Sequence, residues 1–366
     1  MKRSLDVLVM GGDGIGPEVV DAARPVMDAV AREAGISLNI EQRISGGACY
    51  DLHGVFITEE TKALSRKADI ILFGAEGGPK WDYLNIGGPL EDKSALSWIR
   101  KRLDLYFNLR PVKALPALVD HTSLKAQVVK DIDLVVVREL CSGIYYGQPR
   151  GIEKLANGKR IGLDTQTYTE DEIERVARSA FALARTRRSM LTSMDKANVM
   201  DSCVLWREVV TKIGESQFPD VTLNHLYCDN GLYQLALNPG QFDVILCDNL
   251  FGDLVSDAAG AGAGSLGMLP SASLGPINKD GRRTAVYEPV HGSAPDISGR
   301  GIANPLGTIL SIGMMSELSF ERPDLGDKVE QAVQTALASG VRTFDLGGTA
   351  STSQMSEAVL KAWHSL

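Results

Sequence analysis

The sequence predicts an α/β protein built from two domains. Three observations carry that prediction. Short β-branched runs alternate with stretches of helical periodicity along the chain. The 366 residues are enough for two cores at roughly 150 residues per domain. No internal repeat, low-complexity tract or charge run interrupts the alternation.

The elements follow in order. Leu5-Asp-Val-Leu-Val-Met10 reads as a strand and runs into Gly-Gly-Asp-Gly-Ile-Gly-Pro-Glu18, after which an amphipathic stretch continues to about Ala34. Pro17 suits the first helical position, where its missing N–H costs nothing, and Glu18 suits the positive end of the helix dipole. Asp69-Ile-Ile-Leu-Phe73, Leu134-Val-Val-Val137 and Phe242-Asp-Val-Ile-Leu246 are further strands, and Glu170 to Arg188 is a helix. A second helix is predicted from Asp195 to Ile213, with Val199, Val204, Leu205, Val209 and Val210 on a recurring apolar side. No linker separates two halves, so the chain is expected to cross between domains more than once.

Composition narrows the function. Lys and Arg number 38 against 46 Asp and Glu, a net charge of −8, and no basic patch supports nucleic-acid binding. The first twenty residues hold only the short apolar run Val7 to Met10 between Asp6 and Asp13, which predicts no secretory segment and a cytoplasmic protein. The uncharged stretch Ala258 to Asn278 carries five glycines and two prolines, so no membrane span is expected. Five scattered cysteines without a C-x-x-C pair, and histidines without metal spacing, leave oxygen ligands as the means of holding any metal.

Gly11 to Gly16 invites comparison with a dinucleotide-binding loop, but the spacing fails: counted from Gly12, Pro17 stands where a glycine is needed. A tight strand-to-helix turn accounts for it. Asn249-Leu-Phe-Gly-Asp253-Leu-Val-Ser-Asp257 says more, because carboxylates at i and i+4 share one helix face within reach of one cation. Spacing alone equally fits a surface helix; the frame of Leu250, Phe251, Leu254 and Val255 points to partial burial, and buried carboxylates need a partner. Arg100, Arg110 and Arg138 each sit at the edge of an apolar or helical segment. Each alone also fits a surface ion pair, whereas three together suit a substrate with two carboxylates, since a guanidinium grips a carboxylate bidentately.

These pieces join in a resemblance. Gly12 to Glu18, Asn108-Leu-Arg-Pro111, Arg138-Glu-Leu with Gly-Ile-Tyr145, Asp195-Lys-Ala-Asn-Val199, Tyr227-Cys-Asp-Asn230, Asn249 to Asp257 and Glu288-Pro-Val-His-Gly-Ser-Ala-Pro-Asp296 are similar, in order, to motifs of the β-decarboxylating 2-hydroxyacid dehydrogenases. Leu140 after Arg138-Glu139 points to the isopropylmalate branch rather than the isocitrate branch. The resemblance implies a two-domain fold that is not a Rossmann fold, with a discontinuous first domain near 1–106 plus 264–366 and a second near 107–263. It implies NAD-dependent oxidation and decarboxylation of 3-isopropylmalate to 4-methyl-2-oxopentanoate in leucine biosynthesis, assisted by Mg²⁺ or Mn²⁺, in a homodimer with shared sites. Arg100, Arg110 and Arg138 would hold the carboxylates, Leu96 the alkyl group, and Asp229, Asp253 and Asp257 the cation. Lys196 would be the base, Tyr145 the acid, and Asp229 also a substrate contact. His291, Gly292, Ser293, Ala294, Asp296, Ile297 and Asn304 would form the adenosine site.

Some residues depart from the family pattern. Cys141-Ser142, Gly231-Leu232 and the segment Gly87 to Leu96 differ from the usual residues, and Glu91 aligns only ambiguously with the nicotinamide neighbour. A related 3-alkylmalate or other 2-hydroxy dicarboxylate stays open as the substrate. A non-catalytic regulatory subunit is the remote alternative, disfavoured because every arginine, carboxylate, lysine and tyrosine of the implied site is present.

Overall fold

A computed structural model describes residues 4–366 apart from 86, 123 and 280. Its twelve described strands are β1 (Ser4–Gly12), β2 (Ser37–Gln42), β3 (Ile70–Ala75), β4 (Phe107–Lys113), β5 (Asp133–Glu139), β6 (Gly151–Lys154), β7 (Arg160–Leu163), β8 (Met190–Asp195), β9 (Thr222–Tyr227), β10 (Val244–Cys247), β11 (Pro270–Leu274) and β12 (Ala285–Pro289). Ten of them form one sheet in the order β2-β1-β3-β12-β11-β4-β5-β10-β8-β9, while β6 and β7 make a separate hairpin.

The two wings of the large sheet are parallel, as β-helix-β connections require, and their strands β3 and β10 are apolar throughout because helices cover both faces. Every residue of β3, β10, β11 and β12 is buried. Where the wings meet, β12, β11, β4 and β5 run antiparallel. The chain leaves the first wing after residue 106 and returns at β11, so it crosses this seam twice. The main apolar core runs from Leu5 and Val30 through Phe181 and Leu246 to Trp363, with a second cluster around Leu8, Phe73 and Ile99 and a small one around Ile15 and Val19.

Strand alternation gives the seam two unlike faces. Asn108 pairs across from Arg138 and from Ser273, and Ser271 pairs across from Glu288, so these polar residues and Arg110 share one face. Leu109, Pro111, Val135 and Pro270 occupy the other. A cavity of about 420 Å³ lies on the polar face and one of about 480 Å³ on the apolar face.

Most predicted elements form as expected. The first helix spans Gly16–Ala34 with Pro17 in its first turn, and ends at left-handed Gly35. The 170s helix ends at Arg185, and Thr169 with Glu172 closes a capping box at its start. The exception is the element predicted from Asp195. Asp195 is the last residue of β8, and its helix begins only at Asp201 and runs to Gln217. The buried Asp195 carboxylate accepts the N–H of Ala197 and two bonds from Arg207, and this sets a turn where periodicity suggested a continuous helix. Val199 is consequently 72% exposed, and the buried side of the helix is Cys203, Trp206, Val209, Val210 and Ile213.

Candidate active site

The glycine-rich turn after β1 acts as a buttress. Gly12 and Gly14 have positive φ, and a Cβ on either would fall 1.9 Å from a backbone oxygen, of Ala75 or of Ser293 respectively. Ile15 donates its N–H to Ser293 O at 2.8 Å, while the Asp13 carboxylate accepts from Gly47, Ala48 and Gly77. Glu18 accepts the N–H groups of Gly301 and Ala303 and the hydroxyl of Thr352. The start of the chain thus fixes the loop over 291–304.

Arg110, Arg138 and Arg100 converge on the cleft of the polar face, together with Leu96 and Tyr145. Arg110 projects from β4, Arg138 from β5, and Arg100 from the helix Ala95–Arg102, which is started by a Ser94 cap onto Ser97. The side chains of Arg138 and Arg110 are only 3% and 6% exposed, so their charges need partners. Asp253, from the helix Asn249–Gly260, supplies most of that. Its Oδ1 accepts from Arg138 Nη1 at 2.5 Å and Arg110 Nη1 at 3.1 Å, and its Oδ2 accepts from Tyr145 OH at 2.9 Å. Asn249 Oδ1 takes the other two Arg138 donors, and Asn108 Oδ1 takes Arg110 Nε. Asn108 is itself held by Ser271 and Ser273 across the seam. Arg100 is paired with Glu288 at 2.6 Å, although its buried Nε has no hydrogen-bond partner among the described residues.

The electrostatics follow from this packing. Burial, then the neighbouring Arg138, pushes Arg110 down to about 10, still charged at neutral pH. Burial also works against Arg100, but Glu288 more than compensates and holds its pKa up. For Asp253 burial raises the pKa, and Arg138 and Arg110 outweigh it, leaving the carboxyl below its usual range. Asp257, 52% exposed and 3.7 Å from Arg110, is shifted up by burial and then by Asp253. Burial and then Asp253 raise Tyr145, which stays a phenol.

Lys196 and Asp229 stand apart from that cluster and do not line its cleft. Lys196 lies in the turn after β8, and Asp229 in the first turn of the helix Cys228–Leu237. They pair with each other at 2.7 Å, with side chains 26% and 69% exposed, and the Lys196 hydrogen bond holds Asp229 below the usual carboxylate range. Among the described residues no three His, Cys, Asp or Glu side chains stand together as a metal site, so one chain offers Asp253 and Asp257 without Asp229.

Of the expected adenosine site, His291 and Gly292 border the cleft, Ser293 is buried beside Gly14, and Ala294 has positive φ. Asp296 is exposed, and Ile297 packs against the buried Ile15, Val19 and Ala303. Asn304 is buried and bonded to Asp345 and to the Leu306 N–H. His291 Nε2 is a buried atom without a hydrogen-bond partner among the described residues. Sequence reading did not single out Asn249, Asn108, Glu288 or Asp13 as site residues. Each is a neutral or acidic side chain whose role is visible only once its arginine or backbone partner is placed, although all four sit inside the motifs quoted above.

Residues 6–359 match the family model described as isocitrate/isopropylmalate dehydrogenase. The chain is 50% identical over 359 residues to a 3-isopropylmalate dehydrogenase of Ruegeria pomeroyi, covering 97% of both proteins. It is 47% identical over 370 residues to one of Gluconobacter oxydans, covering 100% of both. Among solved structures, isocitrate dehydrogenase from Methylococcus capsulatus matches with a TM-score of 0.85 at 31% identity, over 98% of this chain and 99% of that one. A β-decarboxylating dehydrogenase from Thermococcus kodakarensis in its apo form matches with a TM-score of 0.76 at 34% identity, over 99% and 96%.

Proposed function

Because this chain belongs to the isocitrate/isopropylmalate dehydrogenase family, we propose that it oxidises 3-isopropylmalate and releases its β-carboxylate as carbon dioxide, giving 4-methyl-2-oxopentanoate for leucine biosynthesis. The observation that carries this reading is the convergence of Arg100, Arg110 and Arg138 on one cleft beside the apolar Leu96. A malate with a branched alkyl group at C3 has two carboxylates for the guanidiniums and one greasy arm for the leucine.

The cofactors are NAD and a divalent cation, Mg²⁺ or Mn²⁺, and the residues present fit both. Asp257 is pushed up by burial and then by Asp253; a hard cation would offset both, and carboxylate oxygens are its preferred ligands. Asp253 and Asp257 would hold it, with Asp229 of a second chain. For NAD, the unpartnered His291 Nε2 and the open approach at Gly292 leave room beside the exposed Asp296, which accepts hydrogen bonds from ribose hydroxyls. NAD, when bound, would supply the hydride acceptor for C2, and the cation would supply positive charge to stabilise the C2 oxygen.

The chain's own residues do the rest. The arginines orient both carboxylates, so that the C3–carboxylate bond can break with its electron pair passing into the C2–C3 bond. Lys196 takes the proton of the C2 hydroxyl. Tyr145, kept protonated by burial and Asp253, gives its proton to C3.

Lys196 and Asp229 reach such a cleft from a partner, which makes the protein a homodimer with shared sites. Supporting this, Tyr227 lies beside Lys196, Val199, Tyr233, Leu237 and Leu254 are exposed on the same or adjoining elements, and the β6–β7 hairpin exposes Ile152, Leu155 and Ile161. The domains of this reading are 1–106 plus 264–366 and 107–263, meeting at the β4–β11 seam. No helix among the described residues is long and apolar enough to cross a membrane, which accords with a cytoplasmic enzyme.

The test is NADH formation from a panel of 3-substituted malates with Mg²⁺ or Mn²⁺. The reading expects 3-isopropylmalate to have the highest kcat/KM among the 3-alkylmalates. If it proves the poorest of them, the reaction stands and the substrate passes to another 3-alkylmalate.

A further inference from the structure

Leu96 and Arg100 enter the cleft from one short helix, Ala95–Arg102. Two turns of helix are marginal on their own, so this one stands where its surroundings put it. Ala95, Trp98 and Ile99 join the buried cluster around Leu8 and Phe73, which fixes the helix against the sheet. Its later part is tied to the segment after β5: Lys101 Nζ donates to Cys141 O at 2.6 Å, and Tyr146 OH to Ser97 O at 3.2 Å. Its start is gripped by Glu76.

Glu76 directly follows β3 and borders the same cleft. Its Oε1 accepts the N–H of Ala95 at 2.6 Å, and its Oε2 accepts the hydroxyl of Ser94 at 2.6 Å and the N–H of Leu96 at 3.1 Å. Ser94 Oγ in turn accepts the N–H of Ser97 at 2.9 Å. The two side chains thus satisfy the first three N–H groups of the helix, which have no partner within it. The backbone on either side of Glu76 is itself clamped, because Asp13 donates its N–H to Ala75 O and accepts that of Gly77. Burial, and to a lesser degree Asp13, push the Glu76 carboxyl up against these hydrogen bonds. A carboxylate is kept here at a cost, and its hydrogen-bond partners among the described residues all belong to the start of the helix.

We propose that Glu76 is a positioning residue for substrate recognition: by gripping Ser94, Ala95 and Leu96 it sets where the leucine meets the C3 branch and, through the helix, where Arg100 points. This rests on the reading above for the substrate and for Leu96. Glu76 acts through the helix and takes part in no bond that forms or breaks. Loosening the grip therefore weakens substrate binding and the preference among branches, and leaves the chemical step and the use of NAD nearly as they were.

The experiment measures kcat and KM for 3-isopropylmalate, 3-methylmalate and NAD in the unmodified enzyme and in Glu76→Gln, Ser94→Ala and Ser94→Thr, together with amide hydrogen exchange over 94–97. Glutamine keeps the size of Glu76 but turns an NH₂ group towards the donors it should accept. We expect Glu76→Gln to raise KM for 3-isopropylmalate about tenfold, with kcat and KM for NAD within about threefold, and to lower the preference for 3-isopropylmalate over 3-methylmalate at least about threefold. Exchange of the Ala95 and Leu96 amides should quicken at least about tenfold. Ser94→Ala should show the same pattern more weakly, and Ser94→Thr, which keeps the hydroxyl, should not. The proposal is overturned by an unmoved branch preference, by a loss confined to kcat, by a lower Tm with unchanged kinetics, or by unmoved exchange. Should Glu76→Gln not fold, the two Ser94 variants decide on the same readings. Failure of the unmodified enzyme on every 3-alkylmalate would instead break the functional reading beneath, and exchange would still decide whether Glu76 holds the helix.

Discussion

The arginine cluster and the Lys196–Asp229 pair carry comparable charges in opposite states of completion. Around Asp253, each guanidinium is buried and bonded to groups of its own chain, from β4, β5 and the helix Asn249–Gly260. Among the described residues Lys196 has one ionic partner, and that partner is two-thirds exposed. A buried polar network must be satisfied within the fold, or the fold is lost. An exposed pair contributes little to stability and is free to serve something outside its own chain. What separates a binding pocket from an offered group is therefore the desolvation each has already undergone.

The sharpest way to break this contrast is to remove the shared carboxylate. Asp253→Asn should lower kcat by at least about a thousandfold, and excess chelator should do the same to the unmodified enzyme, because two buried arginines and the proposed cation lose one ligand together. Full activity in chelator would sink the cation assignment. The unfinished side is tested by mixing inactive Lys196→Ala chains with inactive Arg138→Ala chains. A heterodimer has one site with both lesions and one with neither, so random exchange should restore about a quarter of wild-type activity. No recovery after verified exchange would place both groups in one chain's site.

The cofactor loop comes next. Asp296 should favour NAD over NADP by about a hundredfold in kcat/KM, roughly 2.7 kcal/mol, since a 2′-phosphate would meet a like charge. Asp296→Lys with Ile297→Tyr should narrow that gap, and equal use of both cofactors by the unmodified enzyme would refute the role of Asp296. A smaller effect is expected at Leu96: 3-methylmalate and 3-ethylmalate should be used less well than 3-isopropylmalate without being excluded, since one methylene is worth about 1–3 kcal/mol.

The smallest effect lies behind the cluster. Burial pushes Glu139 up to about 7 and Asp248 up to about 6. A raised carboxyl pKa means that the folded state prefers the proton. The stability these groups contribute is present below their unfolded values near 4 and is lost as pH rises through 6 to 7. Glu139→Gln should flatten the decline in Tm between about pH 4.5 and 7.5, and an unaltered slope would contradict this.

Much of the molecule was legible because its signals are local. β3, β5 and β10 announce themselves as apolar runs, and the i,i+4 spacing of Asp253 and Asp257 survives as one helix face. The helix misplaced at Asp195 was not legible, because one carboxylate bonding Ala197 and Arg207 overrides the periodicity of the residues after it. The antiparallel seam was equally hidden: nothing in Pro270–Leu274 reveals that it will lie between β12 and β4, more than 150 residues away from the latter in sequence.

The seam also has a mechanical consequence. β4 and β11 join the two wings through the short register Leu109↔Ala272, Asn108↔Ser273 and Phe107↔Leu274, with a cavity above it and another below. A plate creased along such a line behaves as a seesaw. Tilting the wings to shrink the arginine cleft must widen the apolar hollow between Leu109, Val135 and Met314, where the Lys113–Glu330 ion pair bridges β4 to the helix Pro323–Ala338 like a strut. Any closure of the front about this line would open the reverse of the sheet. How far the front can close is then set by how much apolar surface the back can leave uncovered.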